Sequence, residues 1–328
     1  LAAAAGDDAR GRGWGAGAAG AAAAFRPEML PLAVVLGAYR GRGLAVRPRV
    51  VAMALATGPW LAVALLRVVF FGRPAPLSQL AKPSDLAHGV PYVVAGLLLA
   101  GAPILAFAPV ALVRGGDALA RARWLVVAAS VHALAVAFAG GDWMPLSRLL
   151  VPAFPLLIVA AIDVAERAPA VLTAVRAALA LAVMVFAWAR GGLAARDVLA
   201  TRMDLLQSGR IALSDAGVIA ALDVGWIGAA TSRPIVDLAG LTDPAVAALP
   251  GGHTSKRVPT TLLDARAVDT LVFLRRRDCT GTCVRSDGGP FDRVVEERLS
   301  QEPWVADGFR VGAILRSGPL TYVVLRRR

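Results

Sequence analysis

Lysine is nearly absent from this chain. Of its 35 basic residues only Lys82 and Lys256 are lysine and the rest are arginine, set against 23 acidic residues for a net charge of +12. A basic balance can signal nucleic acid. Here the arginines are scattered over loops between apolar runs, with no patch interleaved with aromatics, so nucleic acid is excluded as the expected partner. Cysteine is as scarce: Cys279 and Cys283, spaced C-x3-C in CTGTC, are the whole supply. Two thiols furnish half a zinc shell and the nearest histidine in sequence is His253, so no metal is expected. A local disulfide is the first reading if this segment is extracytoplasmic, with free thiols as the alternative. No Ser-His-Asp spacing and no internal repeat is visible, and the missing repeat weighs against a transporter built from paired halves. An initiator methionine is missing too, and the chain reads as part of a longer protein.

Apolar residues are in excess. They make up 57% of the 328 residues and mean hydropathy is +0.62, where a soluble domain carries about 45–50%. The excess fills residues 1–190, and residues 191–328 look soluble. The predicted fold is therefore a multi-span α-helical membrane region followed by a small extracytoplasmic α+β domain. About six spans are expected at Ala16–Tyr39 (interrupted by Arg26-Pro27-Glu28), Val50–Leu66, Pro91–Val113, Trp124–Ala139, Leu149–Ile162 and Val171–Ala189. Arginine is densest in loops 40–49 and 114–123, and Arg167 lies in loop 163–170. The positive-inside rule puts those loops in the cytoplasm. It puts loop 67–90, the turn GGDWMPLSR (Gly140–Arg148) and the tail on the outer face of a bacterial plasma membrane. Trp60, Trp143 and Trp188 then fall near the outer interface.

In the tail, Gly192–Arg210 reads as an amphipathic helix leaving the membrane and Asp292–Gln301 as a second helix. Ile211–Asp215, Arg233–Leu238, Asp269–Leu274, Arg310–Leu315 and Leu320–Leu325 have strand length and strand composition. Asp237 and Asp243 fit turn organisers better than acid-base groups. His253 and Lys256 share one loop.

Three polar stretches interrupt the apolar region. In GGDWMPLSR, Asp142 and Arg148 sit at an interface where charges are costly unless solvated, paired or functional. One reading is an ion-paired turn with a tryptophan anchor. The other is a cavity rim in which Arg148 meets an anionic head, since a guanidinium matches phosphate geometry. Arg73 and Lys82 lie in the first outer loop, where snorkelling cations and phosphate contacts are both open readings. Arg26 and Glu28 flank a helix-breaking proline, either as a charge pair or as lining of the same cavity.

Taken together, several of these stretches resemble one family. The Phe71–Pro76 segment ending at Ala81-Lys82, the Gly140–Met144 turn followed by Arg148 and a proline-rich span, Arg26-Pro27-Glu28 and the tail's VDLAGLTDP (Val236–Pro244) are similar to motifs of polyprenyl-phosphosugar-dependent glycosyltransferases of the GT-C fold. Among these, the chain resembles the mycobacterial terminal arabinofuranosyltransferases and their bacterial relatives. The resemblance implies an enzyme that moves a sugar from a polyprenyl-phosphate donor to a cell-envelope glycan or lipid outside the cytoplasm, with no cofactor beyond that donor. It implies a catalytic aspartate in a first outer loop that these residues do not include, so this chain is expected to be incomplete and inactive alone. Asp142, Arg26, Glu28 and Arg73 are then expected to position substrate, and Arg148 and Lys82 to contact its phosphate. The competing reading is a non-catalytic membrane subunit or scaffold whose outer domain binds glycan.

Overall fold

The computed structural model describes residues 9–82, 86–99, 113, 116–142, 147–166, 169–276 and 290–328. The chain divides into two compact units, Leu1–Ala75 with Ser84–Ala189, and Pro76–Pro83 with Arg190–Arg328.

The first unit is helical. The expected span at Ala16–Tyr39 is two helices, α1 (Ala9–Phe25) and α2 (Leu30–Gly41), parted by a 3-10 turn at Pro27–Met29. After them come α3 (Val46–Phe71), the five-residue α4 (Leu77–Ala81), α5 (Leu86–Leu99), α6 (Ala120–Phe138), a 3-10 turn at Arg148–Ala153 that leads into α7 (Phe154–Ala165), and α8 (Ala170–Ala212). Among the described residues, three helical segments are long and apolar enough to cross a membrane: Val46–Phe71, Ala120–Phe138 and Arg148–Ala165. Leu86–Leu98 and Thr173–Phe186 are shorter apolar helices. Residues 100–112 of the expected Pro91–Val113 span lie outside the described residues.

Alanine and glycine set the packing. Ala16 and Ala23 on α1 are buried, as are Ala52 and Ala56 on α3, and small residues at such spacing let helix backbones approach closely. Gly20 is the tightest point: a Cβ there would lie 2.2 Å from the Leu55 carbonyl oxygen. Pro59, four residues after Leu55, has no N–H to return to that carbonyl, so the oxygen bared by the proline is the one that faces the glycine. Helix α3 ends on Gly72 in the left-handed conformation (φ 72°), whose N–H donates to Val68 O at 2.9 Å, the usual glycine stop. At the opposite ends of α6 and α7 from the Gly140–Arg148 turn, Arg121 Nε donates to Asp163 at 2.9 Å.

The second unit is an α+β body around a five-stranded sheet. Its strands are β1 (Ile219–Ala221), β2 (Ile235–Asp237), β3 (Thr270–Leu274), β4 (Phe309–Ser317) and β5 (Leu320–Arg327), in the order β2-β1-β3-β5-β4. Strand β1 runs parallel to β2 and β3, and β5 runs antiparallel to β3 and β4. β3 is buried along its whole length, and its two faces feed separate cores, as an unbroken apolar strand does when both faces are covered. Leu271 and Phe273 join Leu263, Val295 and Leu299, while Val272 and Leu274 join Leu205, Trp226, Ile227 and Tyr322. The connecting helices are α9 (Val224–Ala230), α10 (Pro244–Ala247), α11 (Thr260–Ala265), α12 (Val294–Gln301) and α13 (Pro303–Ala306).

One expectation is corrected. Ile211–Asp215 is not a strand: Ile211 and Ala212 close α8, and Leu213 N–H donates to Gly209 O at 2.9 Å. Leu205 and Leu213 are both fully buried, so the run continues a helical stripe, and the first strand forms instead at Ile219–Ala221, beyond Gly217. The helix expected at Gly192–Arg210 is present, as part of α8, which is 43 residues long. In addition, Pro76–Pro83 belongs to the second unit, where α4 packs against α10.

Gly20→Ala is expected to destabilise the detergent-solubilised chain by about 1–3 kcal/mol through overpacking. Gly17→Ala, where a Cβ meets nothing within 4 Å, is expected to be neutral or slightly stabilising. Thermal unfolding of the pair checks this, and equal melting temperatures would contradict the close approach at Gly20.

Candidate functional site

Two helix breaks in the first unit meet at a histidine. His132 on α6 is fully buried. Its Nε2 lies 2.8 Å from Leu149 O and its Nδ1 3.2 Å from Glu28 O. Each carbonyl stands three residues before a proline, Pro152 or Pro31, which has no N–H for the 3-10 bond. Buried carbonyls need donors, and the imidazole sits between both. Sequence reading passed over His132, whose only signal is a polar side chain within an apolar span.

Beside it stands the turn after α6. Gly140 and Gly141 adopt φ of 90° and 69°, and Gly141 N–H closes the helix on Val136 O at 3.0 Å. A Cβ on Gly141 would meet the Tyr92 ring at 2.8 Å. The turn is clamped from α5: His88 Nδ1 lies 2.7 Å from Gly140 O, Ser147 Oγ donates to Tyr92 O at 3.2 Å, and Leu149 N–H donates to the Tyr92 hydroxyl at 3.1 Å. Ser147 takes the left-handed conformation (φ 48°), a strained one for a residue with a Cβ.

Of the expected site residues, the structure pairs Asp142 with Arg148 and Arg26 with Glu28. Arg148 Nε donates to Asp142 Oδ2; the Asp142 side chain is 4% exposed and that of Arg148 49%. Arg26 Nε donates to Glu28 Oε1 at 2.9 Å. Asp142, Arg148 and Arg26 each act electrostatically on the Tyr92 hydroxyl. Arg73 belongs to the first unit; Lys82 follows α4 in the second. Trp143, Cys279 and Cys283 lie outside the described residues. Among the described residues no group of three or more metal-ligating side chains occurs.

In the second unit the VDLAGLTDP stretch folds as turns. Asp237 is fully buried and accepts from Ala239 N–H, Thr242 N–H and the Thr242 hydroxyl at 2.8, 2.8 and 3.0 Å. Asp243 caps α10, accepting from Ala245 and Val246 N–H, and pairs with Arg266. Burial works to raise the Asp243 carboxyl, but Arg266 and the two amides outweigh it and hold it below the ordinary aspartate range. Lys256 is buried, donating to Ala247 O at 2.9 Å and Leu249 O at 2.8 Å just past α10. Burial lowers its ammonium below the usual lysine value.

A charged cluster that sequence reading missed lies where β1 and β3 end. Strand β1 connects to β2 on one side, and the chain then crosses to β3 on the other, so the carboxyl ends of β1 and β3 flank a topological switch point, the place where open α/β sheets bind ligands. Asp223 follows β1. Its Oδ2 accepts from Arg293 Nη2 at 2.8 Å and from the Tyr322 hydroxyl. Arg293 Nη1 also donates to Glu296 Oε1 at 3.3 Å, and Glu296 Oε2 accepts from Leu274 N–H at 3.2 Å. Glu296 is fully buried and Tyr322 nearly so. Burial, with the Asp223 charge, pushes the Glu296 carboxyl up to about 8 against the pull of Arg293 and Leu274 N–H. Burial and Asp223 raise the Tyr322 phenol to about 12.

A family model described as Domain of unknown function (DUF8728) matches residues 198–316, from within α8 to the end of β4. The chain matches no curated protein and no solved structure.

Glu296 sets a pH dependence. Its carboxyl is raised in the folded state from 4.5 to about 8, so the folded chain holds a proton that the unfolded chain has lost. Stability is then full below about pH 4.5 and falls as pH rises toward 8, by up to about 1.4 kcal/mol per pH unit for one proton. Denaturant unfolding of the full chain between pH 5 and 8 is expected to show this slope, and Glu296→Gln to remove it. The same slope in both proteins would assign it to another group.

Proposed function

We propose that the chain forms the membrane-embedded region and outer domain of a glycosyltransferase that moves a sugar from a polyprenyl-phosphate donor to a cell-envelope glycan or lipid. The observation that carries the proposal is the Asp142–Arg148 pair. A carboxylate buried in the turn fixes a guanidinium that is itself half exposed, at the mouth of two helices able to cross a membrane. A lipid phosphate needs that combination: a cation at the end of an apolar path, oriented before the ligand arrives. The order of Arg26-Pro27-Glu28, the Phe71–Lys82 loop, the Gly140–Arg148 turn and VDLAGLTDP supports the same reading.

In the reaction, an acceptor hydroxyl attacks the anomeric carbon, a C–O bond forms, and the bond to the phosphate oxygen breaks with its electron pair leaving on phosphate. The hydroxyl proton goes to a carboxylate base. Asp142 does not suit that task, because Arg148 occupies it. Its role is to hold Arg148 against the departing phosphate, with Arg26, Glu28 and Arg73 positioning the rest of the substrate. The outer-face topology rests on loop arginines. It gains support from the folding of Pro76–Pro83 with the tail as one compact unit, since one side of a membrane must then hold both.

One observation favours the second reading, a non-catalytic membrane subunit: both carboxylates of this site, Glu28 and Asp142, are paired with arginine.

The test is binding of decaprenyl phosphate to the purified full chain in lipid nanodiscs, read by native mass spectrometry. Arg148→Ala is expected to weaken binding about 10- to 100-fold, the worth of one charge-assisted contact. Unchanged affinity would overturn the phosphate assignment. Intact binding without sugar transfer, once any residues preceding Leu1 are included, would select the subunit reading.

A further inference from the structure

We propose that β4, the outer strand of the sheet, takes an added strand from an acidic partner protein. The two edges of the sheet differ. Strand β2 is three residues long and β4 nine, and a long bare edge is a template for another chain. Hydrogen bonds on β5 show which backbone groups of β4 are spare. Thr321 O accepts from Arg275 N–H and Arg327 N–H donates to Asp269 O, each at 2.8 Å, whereas Arg328 N–H donates to Gly308 O at 2.9 Å. The odd-numbered residues of β5 therefore serve the β3 side and the even-numbered ones serve β4. By register, Arg310, Ala313, Leu315 and Ser317 turn toward Arg326, Val324, Tyr322 and Leu320. Backbone groups alternate in an antiparallel ladder, so Phe309, Val311, Ile314 and Arg316 aim their N–H and C=O outward. The extra residue at Gly312, where the register shifts, leaves outward groups on both sides of it.

Side chains define the partner. Val311 is 59% exposed and Ile314 45%. They stand opposite Leu325 and Val323, on the face that Phe309 joins to the core. Apolar side chains of an added strand extend that face. A cavity of about 360 Å³ beside Val311, walled by Phe291, Val305 and Phe309, gives one of them a seat. Charge sets the rest. The stretch Gly308–Arg328 holds five arginines and no acidic residue. Arg326 and Arg327 are paired with Asp215 and Asp264. Arg310 and Arg316 are exposed on β4 and meet no carboxylate among the described residues. Opposite charges on neighbouring strands stabilise their pairing and like charges oppose it. A second copy of this chain therefore fits badly, since it brings two more arginines and no acid to the joint. A strand that alternates apolar with acidic side chains meets both requirements, and its main-chain hydrogen bonds supply affinity.

The test uses the purified full chain in nanodiscs of neutral lipid and two fluorescein-labelled peptides of strand length, read by fluorescence anisotropy. One peptide alternates valine with glutamate and the other valine with lysine. The glutamate peptide is expected to bind about 10-fold more tightly, because like charges set against each other at an interface cost affinity. Ile314→Pro removes one outward N–H and spares the bonds to β5, and is expected to weaken that binding about 10-fold. Arg310→Glu combined with Arg316→Glu, both at exposed positions, is expected to reverse the preference between the peptides. That variant decides the matter where the circular dichroism of Ile314→Pro departs from the parent. Binding of neither peptide, equal binding of both, full affinity in a folded Ile314→Pro, or an unreversed preference in the arginine variant would overturn the inference. So would a dimer in sedimentation that Ile314→Pro abolishes, which assigns the edge to a second copy. Both variants leave the Asp142–Arg148 turn untouched, and decaprenyl phosphate affinity is expected to stay unchanged in each.

Discussion

The first unit depends on one constraint: an apolar helical bundle has no water to satisfy a backbone group that a proline has exposed. Prolines nevertheless stand at positions 27, 31, 59, 152 and 155. Each carbonyl deprived of its partner must find another donor or a place where its exposure is tolerable. His132 places a ring nitrogen within hydrogen-bond distance of each of Glu28 O and Leu149 O, its single N–H serving one of them at a time, and so joins the break between α1 and α2 to the break before α7. The Leu55 oxygen is treated differently, by bringing a glycine of α1 against it. Helix breaks that would be faults in isolation thereby become joints, and the polar turn at Gly140–Arg148 hangs from one of them.

That joint explains why the turn can hold a strained serine and a buried carboxylate. By helical rise, His132 stands about 16 Å along α6 from Arg121. Arg121 and Asp163 tie α6 to α7 at one end, and the His132–Leu149 contact ties them again toward the other. Two ties fix α6 against the segment that leads into α7. A buried Asp142 costs several kcal/mol unless it is paired, about 3–5 if its partner is lost, so Arg148 is held as firmly as the carboxylate is buried. The guanidinium's direction thus follows from where the prolines stand, several residues away in sequence.

Apolar runs were legible because composition alone places them: α3, α6 and the Arg148–Ala165 segment fall where hydropathy puts them. The break at Pro27 was legible for the same reason, as a local property of one residue. The strands β2, β3, β4 and β5 showed through β-branched runs, whereas Ile219–Ala221 did not, since a strand of isoleucine and two alanines carries little propensity and owes its pairing to the neighbours β2 and β3. Ile211–Asp215 misled because so short an apolar run fits either period; the helical one shows only when Leu213 is seen to share a core with Leu205 while Ile211 faces outward. The least visible features were those made by long-range contact. His132 meets residues 104 and 17 positions away, and Arg293 meets Asp223 at a separation of 70. No local pattern announces such partners.

Charge is arranged differently in the two units, and the difference bears on what each can do. In the first, the site carboxylates are each matched to one arginine, so a ligand meets a fixed dipole with the cation outward. Such a pair orients a leaving group well and takes up a proton poorly, because protonating Asp142 would strip Arg148 of its partner in a buried place. In the second, a single arginine is shared between two carboxylates and a phenol leans on one of them, and burial raises the Glu296 carboxyl above the ordinary glutamate range. On the function proposed above, the fixed Asp142–Arg148 pair suits orientation of an anion, whereas the shared arginine at the sheet's switch point leaves Glu296 the carboxyl most easily protonated.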